Sequence, residues 1–176
     1  EGAHPRIMER LIETNFEQTV GYGVDHYCAA AREAVRKAVG REDVDVHFLV
    51  GGTQANATVI SSILRPHQGV LCATTGHINV HETGAIEHSG HKVLALEAED
   101  GLLSAESVRE AVLLHYAEDG PEHMVQPGMV YISFSSEVGT VYSLAQLKAV
   151  SDVCHEYGLP LFIDGARMRY ELASEG

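Results

Sequence analysis

The sequence predicts an α/β fold: a mainly parallel sheet with helices on both faces. Two observations carry that reading. Short apolar runs at residues 46–50, 70–73, 93–96, 129–134 and 159–163 alternate with stretches whose apolar residues recur at helical spacing. Stretches of helix length between successive runs supply the crossovers that parallel strands need. The length of 176 residues, with 45% hydrophobic and 21% charged, suits one globular domain. Such a chain buries about 70% of its unfolded surface.

The elements follow in order. Ile7, Met8, Leu11 and Ile12 predict a helix over residues 5–14. Gly21-Tyr22-Gly23 breaks the chain, and Asp25 then caps a helix carrying Tyr27, Ala31, Val35 and Ala38, closed by Gly40. A strand at 46–50 leads through Gly51-Gly52-Thr53 into a helix over 55–64. Strands at 70–73 and 93–96 flank a helix over 80–87. Val108, Ala111, Val112 and His115 share one face of a helix over 104–116. Residues 118–128, with two prolines and two glycines, predict a loop before the strand at 129–134. Ser143 and Gln146 form a capping box for a helix that ends at Gly158, and Pro160 follows. The strand at 159–163 then delivers Asp164-Gly165-Ala166-Arg167 at its carboxyl edge. Repeats, low-complexity tracts and an obvious linker are absent from the sequence.

Charge and cysteine usage narrow the function classes. A formal charge of −13 excludes the basic stripe that nucleic acid requires. An anionic ligand must therefore be held by local amides and dipoles rather than by the overall field. No apolar stretch reaches the roughly 20 residues of a membrane span. Cys28, Cys72 and Cys154 are widely spaced and odd in number, which reads as reduced thiols in a cytoplasmic protein. Both ends are expected to be cuts through a longer protein.

Three clusters can carry chemistry. Gly51-Gly52-Thr53-Gln54-Ala55-Asn56 stands where a strand turns into a helix, so glycines, free amides and the helix dipole can seat a phosphate. An ordinary tight turn has the same residues, and neither the P-loop nor the dinucleotide glycine pattern is present. In the second cluster, Gly76-His77-Ile78-Asn79-Val80-His81-Glu82, two histidines lie one helical turn apart. The zincin order is absent and a third metal ligand is not evident, so a metal is not expected. The imidazole of His77 can instead stack on an aromatic ring, while His88 and His91 read as ordinary surface or core residues. In the third cluster, Asp164 can hold a ring nitrogen protonated and Arg167 can grip a carboxylate in a two-pronged fork. A turn and a surface charge would look the same in isolation.

Taken in order, Gly52-Thr53-Gln54-Ala55-Asn56, His77-Ile78 with Glu82, and Ile163-Asp164-Gly165-Ala166-Arg167 resemble the low-specificity L-threonine aldolases. These belong to the β-eliminating lyase group of pyridoxal phosphate (PLP) enzymes with the aspartate-aminotransferase fold, fold type I. The resemblance implies that residues 1–176 are a partial PLP-binding large domain, its early part. It implies PLP as cofactor, with Gly52, Thr53 and Gln54 at the phosphate, and His77 stacked on the pyridine ring as a catalytic residue. Asp164 would pair with the ring nitrogen, Ala166 would pack on the other face, and Arg167 would bind the substrate carboxylate. Tyr22 matches a tyrosine that reaches an active site across a subunit interface, which implies a homodimer or homotetramer with shared sites. Glu82 matches a family glutamate near the pocket. Ser136 stands near the place where many of these aldolases carry a histidine that meets the substrate hydroxyl. The Schiff-base lysine is expected beyond Gly176, because Lys37, Lys92 and Lys148 do not match it. The implied reaction is retro-aldol cleavage of a β-hydroxy amino acid such as L-threonine or allo-threonine to glycine and an aldehyde. β-Elimination, an aminotransferase-like reaction and a lysine-less, inactive fragment are the alternatives.

Overall fold

The computed structural model describes residues 2–174. The chain divides into two compact units, Glu1–Phe48 and Leu49–Gly176, although no shift in composition marks the boundary.

The first unit holds α1 (Pro5–Thr14) and α2 (His26–Val39). Both begin as the sequence predicts. Pro5 opens α1 behind His4, whose Nδ1 accepts from the Arg6 amide at 3.3 Å. Asp25 accepts from the Cys28 amide at 2.9 Å at the start of α2, and Gly40 ends that helix at φ +68°. The strand expected at 46–50 does not form. Arginines of α2 reach this stretch and the residues before it instead: Arg32 Nε donates to the Val46 carbonyl at 3.1 Å and Arg36 Nε to that of Val44 at 2.9 Å.

The second unit contains α3 (Gly52–Ile63), β1 (Gln68–Ala73), α4 (His77–Val80), α5 (Ala85–His88) and β2 (Lys92–Leu96). It continues with α6 (Ala105–Ala117), β3 (Gln126–Ser133), α7 (Leu144–Glu156), β4 (Leu161–Asp164) and α8 (Met168–Leu172). The four strands are parallel in the order β2-β1-β3-β4. Successive side chains alternate between faces and build two cores. Leu71, Ala73, Val130 and Ile132 pack with Val108 and Val112 of α6 and Val150 and Val153 of α7. Val70, Cys72, Met129 and Tyr131 pack on the opposite face with Ile60 of α3, Ile78 of α4 and Ile86 of α5. Helices therefore cover both faces, as the sequence predicts. Each fully buried aliphatic side chain contributes about 1.5–3 kcal/mol.

Three local expectations need correction. The single helix over 80–87 is two short helices, because Thr83 and Gly84 take φ of +51° and +74° between them. A left-handed pair cannot continue a right-handed helix. Helix α3 begins at Gly52, three residues earlier than expected, so Gly52, Thr53 and Gln54 form its first turn. Strand β3 begins at Gln126, inside the expected loop. There Gly69 pairs with Pro127 and Val70 with Met129, leaving Gly128 as an extra residue at a bulge. The expected box of Ser143 with Gln146 forms at α7, and a second, Ser104 with Ser107, caps α6. Among the described residues, no helix is long and apolar enough to cross a membrane.

Candidate active site

Strand β1 sends its chain toward β2 on one side, whereas β3 sends its chain toward β4 on the other. The loops at their carboxyl ends diverge and leave a crevice, the switch point where open α/β sheets bind ligands. The segments after β1, β3 and β4 carry His77, Glu137 and Arg167 to this edge, and Asp164 is the last residue of β4.

Asp164 is the hub. Its Oδ2 accepts from the Tyr131 hydroxyl at 2.7 Å and from Asn56 Nδ2 at 3.1 Å, and its Oδ1 accepts from the Ala166 amide at 3.1 Å. Burial pushes the carboxyl pKa up, but these donors and nearby His77 outweigh it, and the pKa falls below the usual Asp range. Asp164 is thereby held as a carboxylate. Tyr131 is fully buried, and its own pKa is driven well above the ordinary phenol range, first by burial. It remains a proton donor.

Asn56 Nδ2 also donates to Glu82 Oε1 at 2.6 Å, and His77 Nδ1 lies 2.8 Å from the same oxygen. A carboxylate oxygen only accepts, so Nδ1 carries a proton toward Glu82. Glu82 Oε2 is buried without a partner. A buried, unpaired carboxylate oxygen is costly. His81 does not form the ligand pair that its spacing suggested: it is exposed, its ring 5.5 Å from that of His77. Among the described residues, the potential metal-ligand atoms that converge are those of His77, Glu82 and Asp164, within 4.8 Å of one another. The amide of Asn56 already bridges their carboxylates, which makes them a hydrogen-bonded pocket wall.

The N-terminus of α3 is open. Gly51 caps it without any side-chain hydrogen bond, and no atom lies within 4 Å of where a Cβ would stand on Gly51 or Gly52. Gly52, Thr53 and Gln54 are exposed there with their amides unclaimed by a cap. A 12-residue helix presenting free amides is suited to an anion. The side chain of Gln54 folds back to accept from the Val50 amide at 2.9 Å, so only its backbone is available.

The remaining sequence candidates are placed as follows. Arg167 is half-exposed and forks onto Glu137, with Nη2–Oε2 at 2.6 Å and Nη1–Oε1 at 3.2 Å. Ala166 is exposed beside Asp164. Ser136 stands apart in role: it is buried, its hydroxyl donates to the Asp100 carbonyl at 3.2 Å and accepts from the Thr140 amide at 3.0 Å. These two bonds fix the loop. Tyr22 lies in the first unit, fully exposed at φ +64°. Sequence reasoning missed Tyr131 and Glu137, and quoted Asn56 without a role. A tyrosine inside an apolar strand reads as core, and only the register that sets Ser133 beside Asp164 brings its hydroxyl to the carboxylate.

The family model described as beta-eliminating lyase matches residues 2–172. The chain belongs to the beta-eliminating lyase family. It is 35% identical over 168 residues to the low specificity L-threonine aldolase of a Pseudomonas strain, covering 94% of this chain and 47% of that protein. The chain thus spans about half the length of the curated relatives it matches. The solved Leishmania major threonine aldolase superposes with a TM-score of 0.92 at 43% identity, over 99% of this chain and 50% of that one. The fold extends to more distant proteins, such as an alanine–glyoxylate aminotransferase from Nostoc at 19% identity and a TM-score of 0.65, covering 93% of this chain and 40% of that one. The parallel sheet with helices on both faces is the α/β fold that this chain shares with these fold type I structures.

Proposed function

We propose that this chain is part of a PLP-dependent carbon–carbon lyase that cleaves β-hydroxy amino acids, L-threonine or allo-threonine first, to glycine and an aldehyde. The observation that carries the reading is Asp164. An aspartate kept ionised by three donors, one of them Asn56 of the helix whose N-terminus is uncapped, suits a protonated pyridine nitrogen and a phosphate held together. The residues fit the cofactor. When bound, PLP supplies an electron sink for the pair released as a bond to Cα breaks. The α3 amides of Gly52, Thr53 and Gln54 hold the phosphate, and Asp164 keeps the ring nitrogen protonated. His77, held by Glu82 at 2.8 Å, would lie against the ring. Arg167 orients the substrate through its carboxylate, Ala166 packs on the other face of the ring, and Tyr22 serves a site across a subunit interface. Orientation decides which bond breaks, so Arg167 governs reaction choice as well as affinity.

The lysine that anchors PLP is proposed to lie outside this chain. Lys92 opens β2 at the amino edge of the sheet, Lys148 on α7 pairs with Asp152 at 2.6 Å, and Lys37 belongs to α2. A homodimer or homotetramer with shared sites and a cytoplasmic location belong to the same proposal; the family resemblance and three unpaired cysteines support it. The test is an absorbance spectrum of the full-length protein with PLP, before and after borohydride and then with L-threonine. A band fixed by borohydride, with aldehyde released on threonine addition, establishes the aldolase. The band without aldehyde moves the reaction to β-elimination or transamination, and no band refutes the cofactor.

A further inference from the structure

We infer that Glu137 is a positioning residue for Arg167, taking the end-on face of its guanidinium so that the side-on face receives a ligand carboxylate. This rests on the reading of Arg167 as the carboxylate-binding residue.

The donor count leads there. A guanidinium has five N–H donors in one rigid plane. Nη1 donates to the Ser135 carbonyl and to Glu137 Oε1, both at 3.2 Å, and Nη2 donates to Glu137 Oε2 at 2.6 Å. Three donors are therefore used. In arginine, Nη2 lies on the side of the Nε–H, so the two donors left, Nε–H and the second Nη2–H, point the same way. Among the described residues neither has an acceptor. Two parallel N–H groups are a fork matched to a second carboxylate. Exposure agrees with this division: the side chain of Glu137 is 10% exposed and that of Arg167 is 38% exposed. The acid is sealed in while the guanidinium stays open.

The loop that presents Glu137 is itself fixed. Ser136 and Thr140 exchange backbone and side-chain hydrogen bonds at 3.0 Å, and Ser136 ties the loop to the Asp100 carbonyl. The serine that sequence alone put against the substrate thus holds the acid that holds the arginine. Glu137 also cancels the arginine's charge, so a carboxylate is recognised by fork geometry more than by net attraction. Removing the acid frees the guanidinium to sample other rotamers, and the lost preorganisation outweighs the gain in charge.

The test uses the full-length holoenzyme and two probes: glycine, and 2-aminoethanol, which lacks the carboxylate. Glu137→Ala is expected to weaken glycine about tenfold and to raise the L-threonine KM to a similar degree, with kcat changed less. Binding of 2-aminoethanol should stay within about twofold, and Glu137→Gln, which keeps one acceptor, should fall between. Glycine binding that is unchanged or tighter in Glu137→Ala overturns the inference and makes the acid a competitor. Equal weakening of both probes overturns it in favour of general disorder. If the alanine variant does not fold, the glutamine variant decides on the same two probes. Arg167→Ala separates the two levels: glycine binding unmoved there sinks the carboxylate reading itself, whatever Glu137 does.

Discussion

Replacing Tyr131 with phenylalanine removes one oxygen from a site where its loss has a calculable consequence. The hydroxyl stands 2.7 Å from Asp164 Oδ2, inside a side chain with no solvent exposure. Phenylalanine keeps the ring, and with it the edge contact to Phe162 at 5.6 Å between centroids, so little cavity forms. What is lost is a hydrogen bond to a carboxylate, about 1.5–3 kcal/mol for a charged acceptor. Asn56 at 3.1 Å and the Ala166 amide remain, which places the expected loss toward the lower end of that range. The pH dependence has a definite sign. The folded pKa of Asp164 lies below the ordinary value, so its contribution is complete above the unfolded pKa of about 3.9 and disappears as pH falls through the folded one. Urea unfolding of the full-length apoprotein at neutral pH should show Tyr131→Phe less stable, and the gap should narrow as the solution is taken below the Asp range. Equal midpoints at neutral pH, or a gap that persists undiminished in acid, would refute the account of Asp164 as a carboxylate held by donors.

Other predictions follow from single contacts. Asp164→Ala in the full-length enzyme should abolish turnover, and unchanged turnover would sink the cofactor reading. Gly69→Ala would put a methyl 2.6 Å from the Lys92 carbonyl and 2.9 Å from Val125 Cγ1. That overpacking should cost about 1–3 kcal/mol in denaturant titration, and a neutral result would mean that β1 and β2 separate more easily than their register implies. With burial as first cause, the Cys72 thiol is pushed up to about 12 and the Cys154 thiol up to about 11. At neutral pH iodoacetamide should label the half-exposed Cys28 first, and mass spectrometry showing Cys72 labelled as fast would contradict the packing of its core.

Much of the fold was legible because its signals are local. The capping box at Ser143, the αL glycine at Gly40 and apolar periodicities all act within a few residues, where spacing in sequence is spacing in space. The expectation failed where a local signal met a non-local competitor. Residues 46–50 have strand composition, yet the arginines of α2 take the carbonyls at Val44 and Val46. The helix over 80–87 was lost to two left-handed residues, which hydrophobic pattern does not register.

The site divides in the same way. Its chemistry-bearing residues at strand ends, His77, Asp164 and Arg167 with the Gly52-Thr53 turn, were readable because a strand followed by such residues is a contiguous pattern. Their partners were not. Asn56 meets Asp164 across 108 residues, Tyr131 meets it across 33, and Glu137 meets Arg167 across 30. No property of those residues alone selects these pairings, since an asparagine in a helix, a tyrosine in a strand and a glutamate in a loop are ordinary. The sequence by itself determined which groups stand at the carboxyl edge of the sheet. The parallel register of β1, β3 and β4 decided which of them touch, and so which carboxylate stays ionised and which face of the arginine stays free.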